Sequence, residues 1–137
     1  MFGKPQEKVW NEFIAQLNKE KIRFKENREN YSVNIVYDND HYRDLGFYFT
    51  FDEDGESFSM HVFSIEKFAK SELPDAYEFC NRMNDNYRWF CFYVDGDDEL
   101  TCRYDGIIRR ETAGMVCSEV LHRAVRIVDK VCEELRS

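Results

Sequence analysis

The chain has 137 residues, 43% hydrophobic and 34% charged, which fits one domain with an apolar interior under a charged skin and excludes intrinsic disorder. Its 27 acidic residues against 19 basic ones give a formal charge of -8, which repels phosphate backbones and anionic lipid surfaces and argues against nucleic acid as a partner. The five cysteines, Cys80, Cys91, Cys102, Cys117 and Cys132, include no Cys-x-x-Cys pair and lie in apolar patterns, so they read as buried free thiols in a reducing compartment.

The stretch Met1 to Lys8 lacks the apolar core of an export signal. The longest apolar run, Trp89 to Val94, is too short to span a bilayer. A cytoplasmic protein without membrane contact is the expectation.

From Pro5 to Glu20, Val9, Trp10, Phe13, Ile14 and Leu17 recur at helical spacing, and Pro5 suits a first helical turn. The following basic run, Lys19, Lys21, Arg23, Lys25 and Arg28, is interrupted by Glu20, Glu26 and Glu29, as in a solvated face. Within it Ile22 and Phe24 alternate with charge, either as a short edge strand or as an extended connection.

Tyr31, Val33, Ile35 and Tyr37 alternate on one face of a predicted strand. A polar turn from Asp38 to Asp44 leads to a second, with Leu45, Phe47, Phe49 and Phe51 on one face and Tyr48, Thr50 and Asp52 on the other. After Asp54-Gly55, Phe58, Met60 and Val62 alternate with Ser57, Ser59, His61 and Phe63. Short polar turns between these strands predict an antiparallel meander.

Ile65 and Phe68 sit in a charged connection with room for a helical turn. Leu73-Pro74 then opens a second helix, striped by Ala76, Phe79, Cys80, Met83 and Tyr87. Strands Arg88 to Val94 and Leu100 to Tyr104 flank an acidic Asp-Gly turn. A four-residue loop would set Cys91 opposite Cys102, whereas a five-residue loop would set Phe92 opposite Cys102. From about Glu111 to Leu135 an apolar stripe predicts a long third helix, whose end has room to cover a second surface or a second subunit.

These elements specify an α+β fold, an antiparallel sheet with helices in the order α-β-β-β-α-β-β-α, as a single domain over residues 1–137. Chemistry is hard to place on it. His41, His61 and His122 share no metal-ligand spacing, and no nucleophile-elbow, Walker or Gly-x-Gly-x-x-Gly motif occurs. The acidic turns after Asp52 and Asp95 fail the calcium-loop order, since neither has glycine sixth nor glutamate twelfth. Aromatic pairs such as Trp89/Phe90 lack the basic surround of a single-strand nucleic-acid platform, so core packing is their default role. No catalytic residue, metal or cofactor is expected.

Cys80-Asn81-Arg82-Met83-Asn84, then Trp89-Phe90-Cys91-Phe92-Tyr93-Val94-Asp95, and the helix entry Glu111-Thr112-Ala113-Gly114 resemble the YbjN family of bacterial proteins, described as sensory transduction regulators. The resemblance covers Leu73 to Leu135. It implies a fold like that of type III secretion chaperones, frequent dimerisation and no established enzymatic activity. Asn81, Asn84, Trp89 and Asp95 become candidate partner or family-motif residues, with a helix C-cap as the other reading of Asn84.

The expected function is therefore a cytosolic, non-enzymatic regulator or chaperone-like module. It would form a homodimer and bind an unidentified protein through an apolar face or strand edge. The competing expectation is a small-molecule sensor or enzyme with a pocket between sheet and helices, in which Cys91 or Cys102 would be reactive.

Overall fold

The computed structural model describes residues 3–137, so Met1 and Phe2, the start of the stretch read for an export signal, lie outside the described residues. Helix α1 (Pro5–Lys19) begins at its proline. Six strands follow: β1 (Lys25–Asn27), β2 (Ser32–Tyr37), β3 (Leu45–Phe51), β4 (Ser57–Val62), β5 (Cys91–Val94) and β6 (Leu100–Ile107). Helix α2 (Leu73–Asn86) separates β4 from β5, and α3 (Ala113–Leu135) comes last.

All pairings are antiparallel, and the sheet order is β1-β2-β3-β4-β6-β5. The strand anticipated near Ile22 and Phe24 lies a few residues later, at Lys25–Asn27, where it pairs with Asn34, Val33 and Ser32. Ile22 and Phe24 instead pack partly buried against the core. Phe92 stands opposite Cys102, so the hairpin takes the five-residue loop.

Alternation along each strand divides the sheet into two unlike faces. The inner face carries Val33, Ile35, Phe47, Phe49, Phe58, Met60, Phe92 and Cys102, all at most 1% exposed. Helices α1 and α3 cover it. Phe13 of α1 meets Phe49 with ring centroids 4.7 Å apart, and the buried Trp10 donates its indole N–H to the Ser32 carbonyl at 3.0 Å. The two helices approach closely at Gly114, where a β-carbon would lie 2.7 Å from the Glu12 carbonyl oxygen.

Connections contribute more to this core than their polarity suggests. Tyr42, in the polar turn before β3, is buried and donates its hydroxyl to the Val125 carbonyl of α3 at 3.0 Å. Ile65 and Phe68 are buried too, because the chain beyond β4 keeps pairing: Ile65 N–H bonds the Leu100 carbonyl and Phe68 N–H that of Asp98, each at 3.0 Å. The charged connection is thus an irregular continuation of the sheet, followed by a 3-10 turn at Lys70–Glu72.

Strand β5 is shorter than the aromatic run that predicted it. Trp89 adopts φ +73°, a left-handed conformation that cannot continue a strand, so pairing starts only at Cys91.

Candidate functional site

The family-motif residues have unlike settings. Asn84 lies inside α2, which runs on to Asn86, so it is not the helix cap; the Tyr87 N–H closes the helix on the Met83 carbonyl. Its side-chain amide reaches β5, donating from Nδ2 to the Phe92 carbonyl at 3.0 Å and accepting the Phe92 N–H on Oδ1 at 2.7 Å. Asn81, one helical turn earlier, is exposed. Asp95 organises the hairpin turn by accepting from the Asp97 and Glu99 amides and the Thr101 hydroxyl. Burial pushes its carboxyl up, but the bonds from Thr101, Glu99 and Asp97 prevail and hold it below its ordinary value. Carboxylate oxygens of Asp95, Asp97 and Glu99 lie within 4.8 Å of one another, the one acidic group among the described residues compact enough to approach a cation.

Trp89 departs from the core role assigned to its ring. It is 55% exposed, and the Arg123 guanidinium of α3 lies 4.6 Å from its centroid. Phe90 alone of that pair is buried. A cleft of about 180 Å³ opens between Trp89, Phe90, Tyr104, Val116, Val120 and Arg123. It adjoins a groove of about 720 Å³ along α3 that includes Met115, Val116, His122, Arg123 and Arg126.

One wall of that groove is a polar cluster. Glu20, just past α1, accepts the Ser118 hydroxyl at 2.5 Å and the Gln16 amide at 2.7 Å, and pairs with His122 Nε2 at 2.8 Å. Ser118, then His122 and Gln16, hold its carboxyl down at about 2. Serine and histidine both face the carboxylate; Ser118 is not donating to His122, so the three do not form a nucleophile-base relay.

Among the described residues no helix lies over the outer face of the sheet. Val36 and Phe63 are 56% and 47% exposed there. Phe63 stacks on His61 with centroids 4.9 Å apart and interplanar angle 5°, and Tyr48 lies 6.4 Å from Phe63. A shallow depression of about 390 Å³ is formed by Asn34, Gly46, Tyr48 and Phe63. Arg103 and Asp105, paired at 2.8 Å, border this cluster, and burial with the Arg103 charge pulls the His61 pKa down.

The thiols divide four to one. Cys80, Cys102, Cys117 and Cys132 are buried, whereas Cys91 is exposed on the outer face opposite Arg103, contrary to the reading of all five as buried. Burial pushes Cys80 up to about 11 and raises Cys102, Cys117 and Cys132 as well. Of the histidines, His41 is held by two acidic residues of α3: Nδ1 lies 2.9 Å from Asp129 and Nε2 3.2 Å from Glu133.

Residues 40–137 match the family described as "YbjN: Putative bacterial sensory transduction regulator". The chain belongs to the YbjN family. Among solved structures, E. coli YbjN is similar over 93% of this chain and 90% of its own, with a TM-score of 0.64 and 10% identity. The Yersinia pestis type III secretion chaperone SycH, solved in complex with a stable fragment of YscM2, is similar over 87% of this chain and 98% of its own, with a TM-score of 0.53 and 9% identity. No curated protein matches. The fold is accordingly that of YbjN and of the secretion chaperones, as the sequence motifs implied.

The YbjN motif marks Asn84, Trp89 and Asp95 but not the groups that complete their surroundings. Arg123 and the Glu20–Ser118 contact carry no local signal, because each joins elements far apart in sequence. The outer-face cluster did carry one: Tyr48 is an aromatic residue at a polar position of β3, and Phe63 continues the polar register of β4 one residue past its end.

Proposed function

We propose that this YbjN-family chain is a non-enzymatic, cytoplasmic regulator that holds another polypeptide against the uncovered face of its sheet and self-associates as a homodimer. The observation that carries this reading is the solvent-facing cluster of Val36, Tyr48, His61 and Phe63 on a sheet covered only on its other side. Exposed apolar groups ringed by polar ones are a common form of protein docking surface. A relative with this fold, SycH, is known in complex with a protein fragment, which supports polypeptide binding as the task of the scaffold. The raised thiol pKa values and the Ser118–Glu20 contact favour a binding role over catalysis. Among the described residues no helix is long and apolar enough to cross a membrane. Asn81 and Trp89 are proposed to meet partners directly, and Asn84 and Asp95 to shape the edge beside them.

The test is affinity capture from the native host, comparing wild type with Val36→Asp/Phe63→Asp, together with light scattering of both proteins. Polypeptides retained by wild type and lost by the variant are expected, with a wild-type mass twice that of the chain. A monomeric wild type whose captured proteins are unchanged by the double variant would overturn the reading.

A further inference from the structure

We propose that the groove along the amino-terminal half of α3 docks an acidic, amphipathic segment of a different protein, its apolar side chain seated beside Trp89 and a carboxylate on Arg126. The site lies on the helical side of the molecule; it rests on the partner role proposed above for Trp89 and not on the sheet face.

Trp89 supplies the first argument. A left-handed conformation in a residue other than glycine costs roughly 1–2 kcal/mol. Here, at φ +73°, it leaves a large apolar ring in solvent instead of completing the core. Lys21, Tyr31, Asp44, Ser64 and Asp98 also have positive φ, so it is the exposed ring beside a cleft that sets Trp89 apart. The cleft beside the ring is walled by Phe90, Tyr104, Val116 and Val120 together with the charged Glu119 and Arg123, and its volume of about 180 Å³ has room for one large side chain. Met115, 69% exposed, extends the apolar surface into the larger groove, which shares Val116, Glu119 and Arg123 with the cleft.

Charge decides what kind of segment fits. The protein as a whole is acidic at -8, yet the groove's two carboxylates already have protein partners. Glu20 takes Ser118, Gln16 and His122, and Glu119 pairs with Arg123 at 3.0 Å. Arg126 has no ion-pair partner among the described residues. The first turn of α3 contains no acidic residue and the Thr112 side chain caps none of its amides, so the helix end adds positive potential. A partner bearing carboxylates gains an ion pair at Arg126, whereas a basic one meets that unpaired cation.

The experiment uses the full chain and two matched sets of fluorescein-labelled peptides. Both sets carry Leu or Phe at one-turn spacing; the remaining positions are Asp and Glu in one set and Lys in the other. Anisotropy titrations should show acidic peptides binding at least about tenfold more tightly than their lysine counterparts, with affinity falling as salt is added. Trp89→Ala should weaken binding by about tenfold or more through loss of the aromatic anchor, and Arg126→Glu by a similar factor. Arg126 is exposed, so its variant tests the charge argument without disturbing the core. Phe63→Ser on the sheet face should change nothing. The proposal is overturned if the two sets bind alike, if neither binds, or if affinity responds to Phe63→Ser and not to Arg126→Glu. It is also overturned if Trp89→Ala dissociates a dimer while leaving peptide affinity intact, which would make this face a contact between copies of the chain.

Discussion

The side chain of Asn84 clasps the backbone of Phe92 at both its donor and its acceptor, at 2.7 and 3.0 Å. Strand β5 is the last in the sheet, and the amide bonds Phe92 as a neighbouring strand would. Replacing Asn84 with Ala should cost about 1 kcal/mol, lowering the urea midpoint with little change in m-value. Hydrogen exchange at the Phe92 amide should accelerate in the same variant. An unchanged midpoint and unchanged exchange would reduce the contact to a surface coincidence.

His41 makes stability depend on pH near neutrality. Its pKa is raised, chiefly by the hydrogen bond to Asp129 and further by the charges of Asp129, Glu133 and Asp40. A raised folded-state pKa gives stability that is fully present below the unfolded value of about 6.5 and is lost as pH rises through the folded value. Wild type should therefore exceed His41→Gln in unfolding free energy at pH 6, and the gap should narrow on the alkaline side of neutrality. A gap that widens with pH has the wrong sign.

Glu20 behaves in the opposite sense. Its carboxyl, held at about 2 by Ser118, His122 and Gln16, contributes stability above its ordinary value of 4.5 and loses it as pH falls toward 2. The difference between wild type and Glu20→Gln should be steady at pH 6 and shrink on acidification across that window. Chemical denaturation at stepped pH measures it, and a difference that persists at pH 2 would remove the carboxylate from the account.

Thiol titration should resolve one fast cysteine in the native protein and four more after denaturation. Cys91 is exposed, whereas the other four are buried with raised pKa values. Cys91→Ser should abolish the fast phase. A fast phase surviving that substitution would mean that the hairpin opens readily.

Gly114 sets the distance between α1 and α3. An added methyl would lie 2.7 Å from the Glu12 carbonyl oxygen and 3.1 Å from the Gln16 β-carbon, and neither backbone can yield without moving a helix. Gly114→Ala should destabilise by roughly 1–3 kcal/mol despite its better helix propensity. Thermal unfolding checks the sign, and a stabilised variant would show that the two helices can part at little cost.

Much of the architecture was legible because its signals are local. Alternation in Leu45–Phe51 and the three- and four-residue spacing in α3 each announce an element and its buried face. What escaped is what long-range contact decides. Tyr42 looks like part of a polar turn until α3 offers it the Val125 carbonyl, and Cys91 looks like core until the register turns it outward. Trp89 was read from its type, which favours burial, whereas its backbone conformation, invisible in the letters, places it in solvent. The Asn84 motif was recognised as a pattern; only the fold reveals the strand edge it occupies.

The position of β6 has a bearing on synthesis. Strands β2, β3 and β4 pair with near neighbours and can form as soon as they leave the ribosome, but β4 finds its other partner only when β6 arrives, beyond α2 and β5. Until α3 follows, Phe47, Phe49, Phe58 and Met60 have only α1 to shelter them. Every nascent chain thus passes through an interval with part of its greasy face bare, and slow translation through β5 and β6 would lengthen the time in which it can stick to something else.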